Sequence, residues 1–178
     1  IEFAELRDAE LAGWIEDRVS CPSSMVDRIV PATTEQDRQR VQQELGLEDQ
    51  GVVVTEGFSQ WVLEDNFCAG RPAWEEVGVT MVDDVTPFEH MKLRMLNGTH
   101  STLAYLGFIA GHEFVADAAS DSDFQQLLLG MWQDEIIPTL HMPAGIDLKA
   151  YARDLMARYQ NPELHHRLYQ IAMDGSQK

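Results

Sequence analysis

Cations are scarce in this chain. Its 178 residues carry 13 lysines and arginines against 30 aspartates and glutamates, a formal net charge of −17. A surface of that sign repels phosphate backbones and anionic headgroups and lacks the cation clusters that nucleic-acid binding needs, so no nucleic-acid partner is expected. Long apolar runs are missing too: the apolar share is an ordinary 44%, but no run approaches the roughly 20 residues of a bilayer helix, and no membrane role is expected. Cysteine is limited to Cys21 and Cys68, whose separation suits neither a disulfide framework nor a paired metal knuckle; a reducing cytoplasm fits best. The absence of any fixed-period repeat or low-complexity tract argues against a solenoid or a disordered tail.

What is present suffices for one domain, or for a small domain and part of another. The chain opens Ile1-Glu2-Phe3 with neither an initiator methionine nor a signal-peptide pattern, and reads as a piece of something longer. Phe3 to Val19 has apolar residues near helical spacing until Pro22 breaks the pattern, and Thr33 to Leu45 reads as a surface helix opened by threonine caps and closed by Gly46. The β-branched or aromatic runs Gly51 to Thr55 and Phe58 to Leu63 read as strands, with Val77 to Val82 as a third, so a small sheet is expected. From Thr86-Pro87-Phe88-Glu89 the pattern turns helical: a threonine cap, proline at the first helical position and a glutamate form a start signal. Gly111 is the expected stop, and further helices are expected over Asp123 to Glu135, Leu148 to Tyr159 and Pro162 to Met173. The chain thus reads as α+β, mixed α/β over residues 1–85 and all-α over 86–178.

Chemistry concentrates in Met91-Lys92-Leu93-Arg94-Met95-Leu96-Asn97-Gly98-Thr99-His100. At about 100° per residue, Lys92, His100 and Asn97 fall at about 0°, 80° and 140° around the axis, an arc able to line one wall of a pocket. Gly98 costs the helix about 1 kcal/mol relative to alanine, which points to something approaching the backbone closely there, a ligand or a packed helix. A lysine whose pKa is lowered by burial can give a proton to a ketone oxygen as hydride reaches the carbon, and can take one back from the alcohol. Asn97 and His100 would polarise the same oxygen as donors, with no metal required. Spacing alone is met as well by a snorkelling Lys92 and a hydrogen-bonded core histidine at His100.

The Lys-x4-Asn-x2-His run Lys92 to His100 resembles the signature of the polyol-specific long-chain dehydrogenases, the mannitol dehydrogenase family. Ser24 to Ile29, Phe58 to Phe67, Gly70-Arg71-Pro72 and Ile171 to Lys178 resemble family segments in the same order, so the likeness spans most of the chain. Pro87 to Lys92 and Tyr169 to Ala172 look most like its fructuronate-reducing, mannonate-oxidising branch. The resemblance implies an oxidoreductase using NAD, with NADP not excluded, and acting without a metal on a sugar acid or polyol, D-fructuronate/D-mannonate before mannitol or arabinitol. It implies a monomer or homodimer. It also implies roles: Lys92 as general acid/base, Asn97 and His100 holding the reacting oxygen, Val26 and Asp27 at the cofactor and substrate cleft, Lys178 reaching the substrate's distal groups. From residue types alone, Asp27 followed by Arg28 suggests a local ion pair, and Lys178 a solvated end. Some polyol-oxidising relatives carry arginine where this chain has Gln170. The family's glycine-rich dinucleotide turn, G-x-G-x-x-G after a strand, is not found. Residues 1–85 would then be the distal part of a Rossmann-type domain, 86–178 an incomplete helical substrate domain, and the piece alone inactive.

Two rival readings use the same residues. His90, His100, His112 and Glu113 could suggest a metal hydrolase, but their spacing is wrong for H-E-x-x-H, and a straight helix would separate His90 from His112 by about 33 Å. Met91, Met95, Leu96, Leu103 and Leu106 could form the partner-facing stripe of a helical interaction module, although such stripes are usually core. Trp14, Trp61, Trp74 and Trp132, scattered over different elements, read as core packing rather than a sugar-stacking platform.

Overall fold

The structure is a computed structural model that describes residues 1–173. The chain divides into two compact units: 1–26 with 60–86, and 27–59 with 87 onward.

The first unit holds two short helices and a three-stranded sheet. Helix α1 (Glu2–Glu5) leads to α2 (Ala9–Arg18), which Asp8 caps by accepting the Glu10 and Leu11 N–H groups. The strands lie in the order β1 (Ser24–Asp27), β2 (Gln60–Glu64), β3 (Thr80–Val82). β2 and β3 run parallel, Val62 opposite Thr80 and Glu64 opposite Val82. Met25, Val62, Leu63, Val79 and Val85 are buried in this unit, Val62 and Leu63 on opposite faces of β2. Glu64 staples the edge, its carboxylate accepting the N–H groups of Ser23 at 2.9 Å and Val85 at 3.3 Å. The connection from β2 to β3 is braced by Arg71, forked onto Asp65 and bonded to Glu75. One expected strand is missing and one that was not expected is present. Residues 51–55 form no strand despite their valines, whereas Ser24–Asp27 does, its exposed–buried alternation being too short to stand out beside Pro22 and Pro31.

In the second unit, α3 (Glu35–Leu45) opens with a reciprocal capping box, Thr34 and Asp37 each accepting the other's N–H, and closes at Gly46 with φ 71°. The long helix α4 runs from 86 to 109. It starts at Thr86, one residue before the expected proline, because Asp84 accepts the Thr86 N–H at 2.9 Å. It contains two π-helical stretches, Lys92–Gly98 and Leu103–Gly107, wound so that residue i bonds toward i+5. Gly111, φ 94°, ends it as expected, with the Gly111 and His112 N–H groups returning to the Phe108 and Gly107 carbonyls. Four members of the apolar stripe, Met91, Met95, Leu96 and Leu103, are core, while Leu106 is 44% exposed.

Helices α5 (Val115–Ser120), α6 (Ser122–Gly130, continued by a π turn Met131–Ile136) and α7 (Leu148–Tyr159) pack around α4. α5 was not expected. The expected helix from Pro162 to Met173 is interrupted: a single turn, Pro162–Leu164, is followed by His165 at φ 44° and α8 (Leu168–Ala172). The break is tertiary. Residues 166–168 pair with 113–115, Val115 N–H bonding the His166 carbonyl and Leu168 N–H the Glu113 carbonyl, and this outweighs the roughly 1–3 kcal/mol that a non-glycine residue costs in left-handed backbone. At Gly107 a Cβ would lie 3.0 Å from both the Ala118 Cβ and a Leu168 methyl, so α4, α5 and α8 meet where only glycine fits. Trp132 is fully buried and donates to the Met95 carbonyl at 3.0 Å. The expectation of core packing fails for Trp14, which is 58% exposed, and for Trp61 at 39%; Trp61 lies instead beside Trp74 in a surface aromatic group with Phe67.

Candidate functional site

Lys92 and Asn97 both lie in the first π stretch of α4, and His100 follows in the next turn. The wider winding corrects the sequence geometry. At α-helical spacing Lys92 and Asn97 stand about 140° apart, whereas the wider winding of a π stretch brings residues five apart nearer to one side of the helix. Lys92 is half-buried, Asn97 exposed and His100 half-buried. A Cβ on exposed Gly98 would meet only its own helix, at the Leu93 carbonyl oxygen 3.7 Å away. Among the described residues no packed helix requires that glycine, and Gly107 carries the close helix contact.

His100 is held on two sides. Its ring lies flat on Tyr159, centroids 5.4 Å apart and planes 9° apart, and meets His166 edge-on at 4.9 Å. Tyr159 is itself pinned: its hydroxyl donates to the Leu96 carbonyl at 2.7 Å and lies 3.0 Å from Thr99 Oγ1, which donates to the Met95 carbonyl at 2.5 Å. Burial pushes the Tyr159 phenol well above its usual pKa, so it stays a neutral support. His100, Tyr159, His166, Arg158 and Asn161 line a small cavity of about 10 Å³, the scale of one water.

Asp27 is 1% exposed, and its charge is answered from far along the chain. The Arg158 guanidinium forks onto it with two 3.0 Å bonds, and the Tyr151 hydroxyl donates to the same carboxylate at 3.0 Å. The other edge of Arg158 binds Glu56 at 2.9 and 2.8 Å; Glu56 also accepts the Ile29 N–H, and Phe58 covers the guanidinium at 4.0 Å. The expected local pair with Arg28 is not formed: Arg28 donates to the Phe58 carbonyl instead. Burial opposes the Arg158 charge, but its hydrogen bonds to Asp27 and Glu56 outweigh that and hold the guanidinium more firmly protonated than usual. Burial and the Asp27 charge together raise the Tyr151 phenol. Val26 is 60% exposed at the carboxyl end of β1. Lys178 lies outside the described residues, and exposed Gln170 sits on α8.

Sequence reasoning missed Glu56, Tyr151, Arg158, Tyr159 and His166. The signal for Arg158 was present, an arginine inside an otherwise apolar helical stripe, but its partners lie 102 and 131 residues away. Among the described residues, no group of three or more histidine, cysteine or acidic side chains could hold a metal ion. His112 approaches Asp121 at 3.5 Å and Glu113 pairs with Arg167 at 2.5 Å, so these rival ligands are spent on separate contacts. No helix of the described residues is long and apolar enough to cross a membrane.

Residues 2–76 match the mannitol dehydrogenase Rossmann domain and residues 84–178 the mannitol dehydrogenase C-terminal domain. The chain belongs to the mannitol dehydrogenase family. D-mannonate oxidoreductase of Escherichia coli is 52% identical over 99% of this chain, and mannitol dehydrogenase 2 of Saccharomyces cerevisiae 42% identical over all of it. The chain spans 36% of the length of each. A D-sorbitol dehydrogenase in substrate-free form superposes with a TM-score of 0.89 at 40% identity, over 98% of this chain and 36% of its own. Pseudomonas fluorescens mannitol 2-dehydrogenase, in a ternary complex with NAD and D-mannitol, gives 0.82 at 44%, over 95% of this chain and 34% of its own.

Proposed function

We propose that the whole protein is an NAD-linked oxidoreductase interconverting a ketone and a secondary alcohol on a sugar acid or polyol, most specifically D-fructuronate and D-mannonate, with NADP as the alternative cofactor. The observation that carries this is the Lys92, Asn97, His100 run on a locally widened helix, within a chain whose two parts match the two domains of one dehydrogenase family. In this reading residues 1–85 are the distal part of the dinucleotide-binding domain and 86–178 belong to the helical substrate domain. The protein is cytoplasmic, works without a metal as a monomer or homodimer, and takes neither nucleic acid nor membrane as partner.

A bound nicotinamide would supply or accept the hydride at the carbonyl carbon. Exposed Val26, at the carboxyl end of a strand in a sheet with parallel pairing, fits the edge where α/β folds receive such a group. Lys92 gives its ammonium proton to the ketone oxygen as negative charge builds there, and its neutral amine takes the alcohol proton in reverse. Asn97 and His100 donate hydrogen bonds to that oxygen, a contribution of about 3–4 kcal/mol to the barrier when such a donor is well placed. Val26 and Asp27, the latter fixed by Arg158 and Tyr151, take the cofactor- and substrate-binding roles that the family resemblance gives them, and Lys178 would contact the distal hydroxyls or carboxylate.

A second reading, a neutral ketose such as fructose with mannitol or arabinitol as the alcohol, is favoured by likeness to the mannitol 2-dehydrogenase complex. One experiment separates the two and tests both. The full-length protein and its Lys92→Ala variant are assayed against keto-uronates and neutral ketoses with each cofactor. NADH-linked reduction of fructuronate, lost in the folded variant, is expected. Preference for a neutral ketose selects the second reading, and unaltered turnover by Lys92→Ala defeats both.

A further inference from the structure

We propose that Thr99, Trp132 and Tyr159 are positioning residues for Lys92 and Asn97. Their side-chain donors converge on the Met95 and Leu96 carbonyls and hold α4 in the widened winding that brings that pair nearer to one side of the helix. This rests on the reading of Lys92 and Asn97 as groups that serve the reacting oxygen. Met95 and Leu96 lie inside the first π stretch, Lys92–Gly98, and both are buried. The Met95 carbonyl accepts the Trp132 indole N–H at 3.0 Å and the Thr99 hydroxyl at 2.5 Å. The Leu96 carbonyl accepts the Tyr159 hydroxyl at 2.7 Å. Thr99, Trp132 and Tyr159 are themselves buried, which keeps bulk water away from these bonds.

A carbonyl oxygen has two lone pairs, and in an α-helix one of them serves the N–H four residues on. At Met95 two side chains fill both. The Thr99 N–H, whose α-helical acceptor would be the Met95 carbonyl, bonds the Leu96 carbonyl instead. The ladder is thus interrupted where side-chain donors enter it, the situation in which helices bend or widen. The widened turn is in turn stabilised, because a buried carbonyl off the ladder would otherwise lack a donor. These donors come from three places: Thr99 from α4 itself, Tyr159 from the last residue of α7, and Trp132 from the π turn that continues α6. Arg94, inside the stretch, ties it a second time to the segment after that turn, donating to the Thr139 carbonyl at 2.9 Å and to the Thr139 hydroxyl at 3.0 Å. Leu93, Arg94, Met95 and Leu96 are all good α-helix formers, so the winding between Lys92 and Asn97 is imposed by packed neighbours and not by local preference.

Tyr159→Phe isolates the effect, since it deletes one hydroxyl and keeps the ring against His100. In the full-length protein it should lower kcat about tenfold or more with KM changed less than about twofold, as expected for lost alignment and not lost binding. Trp132→Phe should do the same, and in the Lys92→Ala background neither should slow turnover further. The crystal structure of the full-length Tyr159→Phe, Trp132→Phe double variant should show residues 92–98 rewound toward α-helical bonding, with the Thr99 N–H returned to the Met95 carbonyl. A lower melting temperature with wild-type kcat in the single variants would mean that the bonds serve stability alone and would overturn the proposal, as would a double variant that keeps the widened stretch. If Trp132→Phe does not fold, Tyr159→Phe and Thr99→Val, which each delete one hydroxyl, decide by the same two readouts. Retained turnover in Lys92→Ala defeats the reading of the site itself, an outcome told apart because the winding is read from coordinates and not from rates.

Discussion

Replacing Arg158 with methionine removes the cation that, among the described residues, neutralises two buried carboxylates. Arg158 makes four hydrogen bonds, two to Asp27 and two to Glu56, and the side chains of Arg158, Asp27 and Glu56 are 7%, 1% and 3% exposed. Methionine fills much of the arginine stem's volume but answers neither charge. Breaking a buried ion pair from one side costs about 3–5 kcal/mol, and at about 2–4 °C per kcal/mol for a domain of this size the melting temperature should fall by about 6–20 °C. Calorimetry of the full-length protein, supported by the urea midpoint, measures this. The reasoning further requires that Asp27→Asn with Glu56→Gln in the methionine background recover a large part of the loss, since the penalty lies in the stranded carboxylates. Arg158→Lys should recover little, because an ammonium cannot fork onto two carboxylates at once. A methionine variant melting within about 2 °C of its parent, or a neutralised triple variant no more stable than the single one, would refute the account.

Gly107→Ala should destabilise the protein by about 1–3 kcal/mol, read as a lower urea midpoint at unchanged slope, because the added methyl meets Ala118 and Leu168 at 3.0 Å; Gly98→Ala, in open surroundings, should not. Tyr151 and Tyr159 should resist ionisation when the other tyrosines titrate, as shown by tyrosinate absorbance of Tyr→Phe variants. Their folded-state pKa values lie above the ordinary 10.0, so the unfolded chain releases these protons first. Their contribution to stability is therefore intact below pH 10 and is lost as pH rises beyond it; an unfolding free energy flat above that pH would contradict this.

The sequence by itself determined the punctuation of this protein and the address of its chemistry. Thr34 with Asp37, Gly46, Gly111 and Asp147, which caps α7 by accepting two N–H groups, act through backbone within a few residues, so the helices they bound sit at or near their expected places. The Lys92 to His100 run is equally local, and its order along the chain identified the family before any coordinate. What only the tertiary structure decided is everything that depends on distant partners. The break at His165 exists because residues 113–115 claim the backbone of 166–168. Val52 to Val54 form no strand although their residue types favour one, since a ladder needs a neighbouring strand as well as a propensity. Asp27 ignores the arginine beside it for one 131 residues away, because a buried carboxylate needs a forked donor enclosed with it while an exposed neighbour offers little. The widened winding of α4, and the tyrosine and second histidine that grip His100, likewise follow from packing among segments that no local pattern connects.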